Sequence, residues 1–317
     1  MSVRRLLGFA VFVTLGCDVA ASLAGEPVLL RHKFAKGDQL VYRTGHEVNQ
    51  VQAIMDAKLK STTKQEVVTS YAVEDVDADG NAVLVTKAVR RKSNMDGDGG
   101  KYEFDSKSSE RDTGSEIGTA VTPYFERLTG SEYRVKMTPR GNVVEVKGFT
   151  ELIADLVKEN VLGALLAEVF ADNEGAKYTE QEHFPVFSEK PVEPGDVWEE
   201  EFEYKIKGLG TIKGRVTYTY EADDKVVQRN TARIGLKSDA TVDLDLDVMV
   251  AKLTGTLSTT HSEGTIQFDP AAGRVVTAKH TFGMSGQLTL NAAGVTFAMD
   301  SALEHTDTAE LLEKIPE

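Results

Sequence analysis

Residues 133–148, Tyr-Arg-Val-Lys-Met-Thr-Pro-Arg-Gly-Asn-Val-Val-Glu-Val-Lys-Gly, decide how the chain is read, because a second copy stands at residues 264–280, Gly-Thr-Ile-Gln-Phe-Asp-Pro-Ala-Ala-Gly-Arg-Val-Val-Thr-Ala-Lys-His. In each, an alternating apolar stretch enters a Pro-containing turn, the turn closes on Gly141 or Gly273, and a Val-Val stretch leaves it. That pattern predicts a β-hairpin, with glycine supplying the backbone freedom the turn needs. The copies differ by one residue in the turn. One unit used twice is the expected architecture.

A second repeated element supports this reading. Lys36-Gly37-Asp38 leads into Leu40-Val41-Tyr42, and Glu193-Pro194-Gly195-Asp196 leads into Val197-Trp198, in both cases a turn feeding a strand ahead of the hairpin. Between these markers the chain alternates apolar and polar residues over short runs, as at Glu66–Tyr71, Phe202–Lys207 and Thr211–Glu221, with turns expected at Gly208, Asp223-Asp224 and Asn291–Gly294. The clearest alternation is Thr241–Val248, which turns Val242, Leu244, Leu246 and Val248 to one face and Asp243, Asp245 and Asp247 to the other. Arg215, Arg233 and Lys237 are the expected counter-charges to those acids. Trp198, the sole tryptophan, is read as an anchor on the sheet.

One long helix is expected, from Thr150 to Phe170, capped by Thr150, with an exit at Asp172–Gly175. Its apolar stripe, including Leu156, Leu162 and Leu166, either packs on the concave face of a sheet or lines a pocket for an apolar ligand. Residues 106–116 are nearly free of apolar side chains and read as a loop. The fold class is therefore mainly β with some α, two related halves of curved antiparallel sheet and one long helix packed on it. The first unit spans 25–172 and the second 173–317, and the two halves can share one continuous sheet.

The N-terminus carries Arg4-Arg5, an apolar run from Leu6 to Gly16, and small residues at Ser22 and Ala24. That order is a secretory signal peptide, residues 1–24, and its apolar core falls short of the about 20 residues needed to span a bilayer. Cleavage after Ala24 removes Cys17, the only cysteine, so no disulfide would hold the fold. In the rival reading Cys17 carries a lipid anchor, although Thr14 stands where a lipoprotein signal usually has Leu. The expected location is periplasmic or secreted. A formal charge of −14 argues against nucleic acid as a partner, since phosphate backbones are held by clustered Lys and Arg.

Candidate chemistry is sparse. Asp75, Asp77 and Asp79 before Gly80 match the first half of a calcium loop, but position twelve is Thr86 where a bidentate Glu is needed, and the flanks read as strands. An Asp-Gly-Asn hairpin turn accounts for the same residues. The six histidines include no closely spaced pair, so no metal site is evident from spacing. No nucleophile elbow, phosphate loop or dinucleotide fingerprint is present, and no catalysis is expected.

Taken together, the signal peptide, the paired Gly-Asp strand starts, the Asp-Ala-Asp-Gly-Asn turn and the Pro-x-Gly-x-Val-Val hairpin resemble a family of exported bacterial proteins carrying a domain of unknown function. The resemblance implies a β-rich extracytoplasmic protein with no assigned activity. In outline the chain is also similar to periplasmic lipoprotein carriers, in which a curved sheet encloses an acyl chain. The expected function is non-catalytic binding of an apolar or lipid-like ligand. The alternatives are a structural or interaction module of the cell envelope, meeting an envelope protein, and a calcium-dependent module built on Asp75, Asp77 and Asp79.

Overall fold

The computed structural model describes residues 27–112, 115–154, 173–248, 251–292 and 294–316. The expected signal peptide, Cys17, and most of the expected long helix, with Leu156, Leu162 and Leu166, lie outside the described residues.

Twelve strands form a single antiparallel sheet: β1 (Gln39–Ile54), β2 (Ala57–Val76), β3 (Ala82–Gly97), β4 (Gly100–Asp105), β5 (Glu132–Met137), β6 (Val143–Lys147), β7 (Val197–Ile206), β8 (Gly210–Val226), β9 (Arg229–Val248), β10 (Ala251–Asp269), β11 (Arg274–Ala292) and β12 (Val295–Leu312). The spatial order is β6-β5-β3-β2-β1-β12-β11-β10-β9-β8-β7, with β4 paired on the second half of β3. The seam between the chain's two meanders is thus closed by the last strand, which pairs with β1 on one side and β11 on the other.

Three helices accompany the sheet: α1 (Glu116–Leu128), α2 (Phe149–Ala154) and α3 (Asn173–Gln181). Helix α3 packs against both edge strands, β6 and β7, which do not pair with each other. The sheet therefore curls until its edges face one another across α3. Gln181 is the button: its Oε1 accepts from Val143 N at 2.9 Å and its Nε2 donates to Gly141 O at 3.0 Å. On the β7 side, the Tyr178 and Tyr204 rings meet edge to face at 5.3 Å.

Alternation along the strands fills the concave face. One apolar cluster gathers Leu84, Val135, Met137, Ile153 and Phe184; a second gathers Leu30, Phe187, Trp198, Ile234 and Phe268. Tyr42 touches both, and its hydroxyl donates to Val275 O at 2.9 Å. Trp198 is anchored as expected: it stacks on Tyr218 at 5.3 Å, and its Nε1 donates to Val186 O at 2.9 Å.

The two organising hairpins form at β5–β6 and β10–β11, and Gly141 and Gly273 hold φ of +106° and +66°. Both turns grip the strand-like strap at residues 28–34: His32 N donates to Pro139 O at 2.8 Å, and Lys33 N to Gly273 O at 3.2 Å. The two Gly-Asp turns share one bonding scheme. Asp38 Oδ2 accepts from Ala35 N while Gly37 N and Asp38 O pair with Val73; Asp196 Oδ2 accepts from Glu193 N while Gly195 N and Asp196 O pair with Tyr220.

Several expectations are corrected. Helix α2 begins at Phe149, so Thr150 lies inside it and is not its cap. The exit expected at Asp172–Gly175 is instead occupied, from Asn173, by α3, whose polar sequence buries only a narrow stripe that includes Ala176 and Glu180. Helix α1, for which no helix was expected, starts at the last residue of the loop expected over 106–116: Ser115 caps it by accepting from Gly118 N, and Phe125 packs on Phe104 of β4. Asp223 and Asp224 lie within β8, paired with Ala232 and Thr231. The turn falls at Val227-Gln228, both in the left-handed region, where the register of the long β8–β9 ladder places it.

Candidate functional site

Strand β1 presents Leu40, Tyr42, Thr44 and His46 to the concave side, two residues apart. His46 lies opposite Gln65 of β2 and Asp307 of β12, and Asp307 lies opposite His280 of β11. His305, two residues before Asp307, shares its face and lies opposite Phe282, with ring centroids 4.9 Å apart. Pairing register alone thus brings together side chains that are far apart in sequence.

One carboxylate oxygen organises the group. Asp307 Oδ1 lies 2.6 Å from His46 Nδ1 and 2.9 Å from His305 Nε2. From across the curled sheet, the segment after α3 delivers Glu182 and His183, the latter with its ring centroid 6.3 Å from that of His46. Glu182 is exposed by surface area, yet desolvation is the largest influence on its carboxyl, raising its pKa, while the Tyr178 hydroxyl opposes the rise.

The electrostatics separate the two acids. Burial pushes the Asp307 pKa up, but the His305 and His46 imidazoles beside it outweigh this and hold the carboxyl well below its ordinary range. For His305, burial lowers the pKa and the Asp307 carboxylate more than reverses this. His183 is pushed down to about 4, by desolvation first and by His46 second, and His280 is lowered by desolvation. Neighbouring acids held on opposite sides of their usual range are a mark of functional clefts, though structural networks produce it too.

Two chemistries fit these atoms to different degrees. His280 Nε2 lies 2.8 Å from Ser262 Oγ, a base-to-nucleophile distance. Among the described residues, however, no carboxylate hydrogen-bonds His280, and Ser262 Oγ already accepts from Ser238 N at 2.8 Å. The second chemistry is coordination. His46, His305 and Asp307 each offer one ligand atom, and these atoms lie within 4.8 Å of one another. A further cation faces the same interior: Arg91 lies over the Phe125 ring at 5.2 Å and donates to Gln65 Oε1 at 3.3 Å, while its buried Nε has no partner.

The cluster escapes sequence reading. Its one local signal is His305-x-Asp307, same-face spacing on a strand, whereas His46, His183 and His280 join only through register and the crossing of the segment after α3. The acids singled out from sequence sit elsewhere. Asp77 Oδ1 accepts from Asp79 N and Asn81 N, its Oδ2 pairs with Lys136 at 3.2 Å, and Asp75 pairs with Lys36 at 3.4 Å. With Gly80 at φ +83°, these contacts are those of the hairpin turn. The acids of β9 also find partners other than those expected: Asp243 pairs with Lys213 and Asp245 with Lys252, because Arg215 faces Glu199 and Glu201 and Arg233 faces Glu221. A groove of about 980 Å³ across β7–β10 is lined partly by that Arg215 network.

A family model described as "Family of unknown function (DUF6263)" matches residues 79–275. No curated protein matches the chain. Among solved structures, a lipovitellin structure titled for its lipid–protein interactions aligns at 10% identity and a TM-score of 0.40, covering 90% of this chain and 26% of its own. The chain thus spans about a quarter of that protein's length. An outer membrane channel from Pseudomonas putida F1 aligns at 5% identity and a TM-score of 0.24, covering 89% of this chain and 97% of the channel. The translocator domain of the autotransporter NalP from Neisseria meningitidis aligns at 7% and 0.21, covering 86% and 88%. Similarity at this level settles neither fold nor ligand. Among the described residues no helix is long and apolar enough to cross a membrane.

Proposed function

Because the chain belongs to this family of unknown function, its role has to be drawn from its own geometry, and we propose that it is a non-catalytic binding protein, acting outside the cytoplasm, whose apolar or lipid-like ligand enters the curl of the sheet. The observation that carries the reading is the curl of the sheet, which gathers His46, His305 and Asp307 on its inner side next to an apolar stretch. Near the histidine cluster its wall changes from polar to apolar: Phe282, Met284 and Leu303 continue along β11 and β12 from His280 and His305. A mostly apolar cleft with a few convergent polar groups is the usual form of a small-molecule site. Arg91, without a carboxylate partner among the described residues, gives the polar end of such a ligand a cation to meet.

The same reading includes an origin by duplication. What supports it is the shared bonding of the two Gly-Asp turns and the position of each Pro-Gly hairpin as the fourth and fifth strands of a meander, β1-β2-β3-β5-β6 and β7-β8-β9-β10-β11.

The test is native mass spectrometry, with solvent extraction, on protein purified from its exported compartment. A stoichiometric apolar mass that is lost on extraction is expected. A clean unliganded mass, under conditions in which a known lipid carrier keeps its cargo, would refute the binding role and favour an interaction module.

A further inference from the structure

We propose that His46, His305 and Asp307 bind a divalent metal ion of the zinc class. The site is separate from the apolar ligand, and either can hold without the other.

The donor set comes first. Two imidazole nitrogens and one carboxylate oxygen suit a borderline ion such as zinc, whereas calcium and magnesium take oxygen shells and soft ions take thiolates. Distances come second. Ligands about 2.0–2.1 Å from a tetrahedral ion lie roughly 3.3 Å from each other. The present separations, 2.6 Å for His46 Nδ1 to Asp307 Oδ1 and 2.9 Å for His305 Nε2 to the same oxygen, need to open by less than an ångström. All three ligands stand on β1 and β12, neighbours in the middle of the sheet, where the ladder fixes their backbones.

An independent observation separates coordination from a plain hydrogen-bonded triad. His305 Nε2 is buried and 2.9 Å from Asp307 Oδ1, yet it makes no aligned hydrogen bond to that oxygen or to any other atom. A triad held by hydrogen bonds would point the ring at the oxygen. Here only His46 is so aligned, and the buried His305 nitrogen is left without an aligned partner, which a bound cation would supply. Phe282, tilted against the His305 ring, and Gln65, opposite His46 on β2, would supply the outer shell that fixes ligand orientation.

Untagged mature protein, stripped with chelator and dialysed against micromolar zinc, tests the proposal by metal analysis of the dialysed protein. Cobalt provides a second readout, through the visible bands of a tetrahedral ion without thiolate charge transfer. One zinc per chain is expected, with affinity reduced more than the roughly 10–100-fold typical of outer-shell changes when His46→Ala and His305→Ala are combined. Asp307→Asn, nearly isosteric, should weaken binding in the same direction and serves as the deciding variant if the double substitution does not fold, as judged by near-UV circular dichroism. Absence of zinc from folded wild-type protein, or equal stoichiometry and affinity in wild type and the folded variant, would overturn the proposal.

Discussion

Gly141 offers the sharpest test of how the molecule is held together, with Gly195 as its internal control. Both have φ beyond +100°, where a side chain costs about 1–3 kcal/mol of backbone strain. Their surroundings differ. A Cβ at Gly195 meets nothing within 4 Å, but one at Gly141 falls 2.1 Å from Pro185 O and 3.0 Å from His32 Nε2. Pro185 would have to retreat, and it is tied in place: its carbonyl lies 3.2 Å from His32 Nε2, and fully buried Phe187 follows two residues on. Retreat also pulls on the Phe187 N to Arg140 O and Gln181 Nε2 to Gly141 O hydrogen bonds, each worth about 1 kcal/mol. Gly195→Ala is therefore expected to cost about 1–3 kcal/mol and Gly141→Ala about 2 kcal/mol more. Urea unfolding, followed both by Trp198 fluorescence and by far-UV circular dichroism to check coincidence, measures the difference. Equal losses within about 0.5 kcal/mol would show that the turn does not brace the strap and the α3 segment, contrary to the packing argument.

Acid stability should follow from opposed buried groups. His32 and His183, each held down to about 4 by desolvation against 6.5 when free, stay neutral in the fold, so the unfolded chain protonates first and stability falls as pH drops from 6.5 toward 4. Glu180, pushed up to about 7 by desolvation against 4.5 when free, works the other way and loses stability as pH rises from 4.5 to 7. His280, lowered by desolvation, joins the histidine side, and Glu182 and Glu200, raised by desolvation, join the glutamate side, so the two effects oppose each other between pH 4.5 and 6.5. Glu180→Gln should therefore stabilise the protein by roughly 3 kcal/mol at pH 8 and by less than about 0.5 kcal/mol at pH 4.5; melting curves showing the same shift at both values would contradict this. In the β8–β9 turn, replacing Val227-Gln228 by Asn-Gly should add about 1 kcal/mol, since both positions have positive φ, and an unchanged urea midpoint would count against the turn geometry. Trp198→Phe should cost about 1–3 kcal/mol by leaving the buried Val186 carbonyl unpaired, measured by far-UV melting.

What the sequence reveals is mostly punctuation. Gly37, Gly80, Gly141, Gly195 and Gly273 all take the positive φ that their turn neighbours demand, because such demands are local. The strands between them follow from alternation. Helices α1 and α3 stay hidden for a different reason: Glu116–Leu128 carries Gly118 and Pro123, and Asn173–Gln181 is polar, so each owes its helix to what it packs against. The histidine cluster is hidden still more deeply. Nothing within a dozen residues of His46 signals that Asp307 will stand opposite it; that depends on the final strand returning to pair with the first.

The closure by α3 has a mechanical consequence. Everywhere else around the sheet, neighbouring strands can be parted only by breaking a row of backbone hydrogen bonds together. Along the gap between β6 and β7 the resistance comes from a few side chains, Gln181, Tyr178 and Tyr204 among them, which can let go one at a time. Under load or thermal fluctuation the molecule should therefore yield first along that line, as a garment opens at its buttons before its cloth tears.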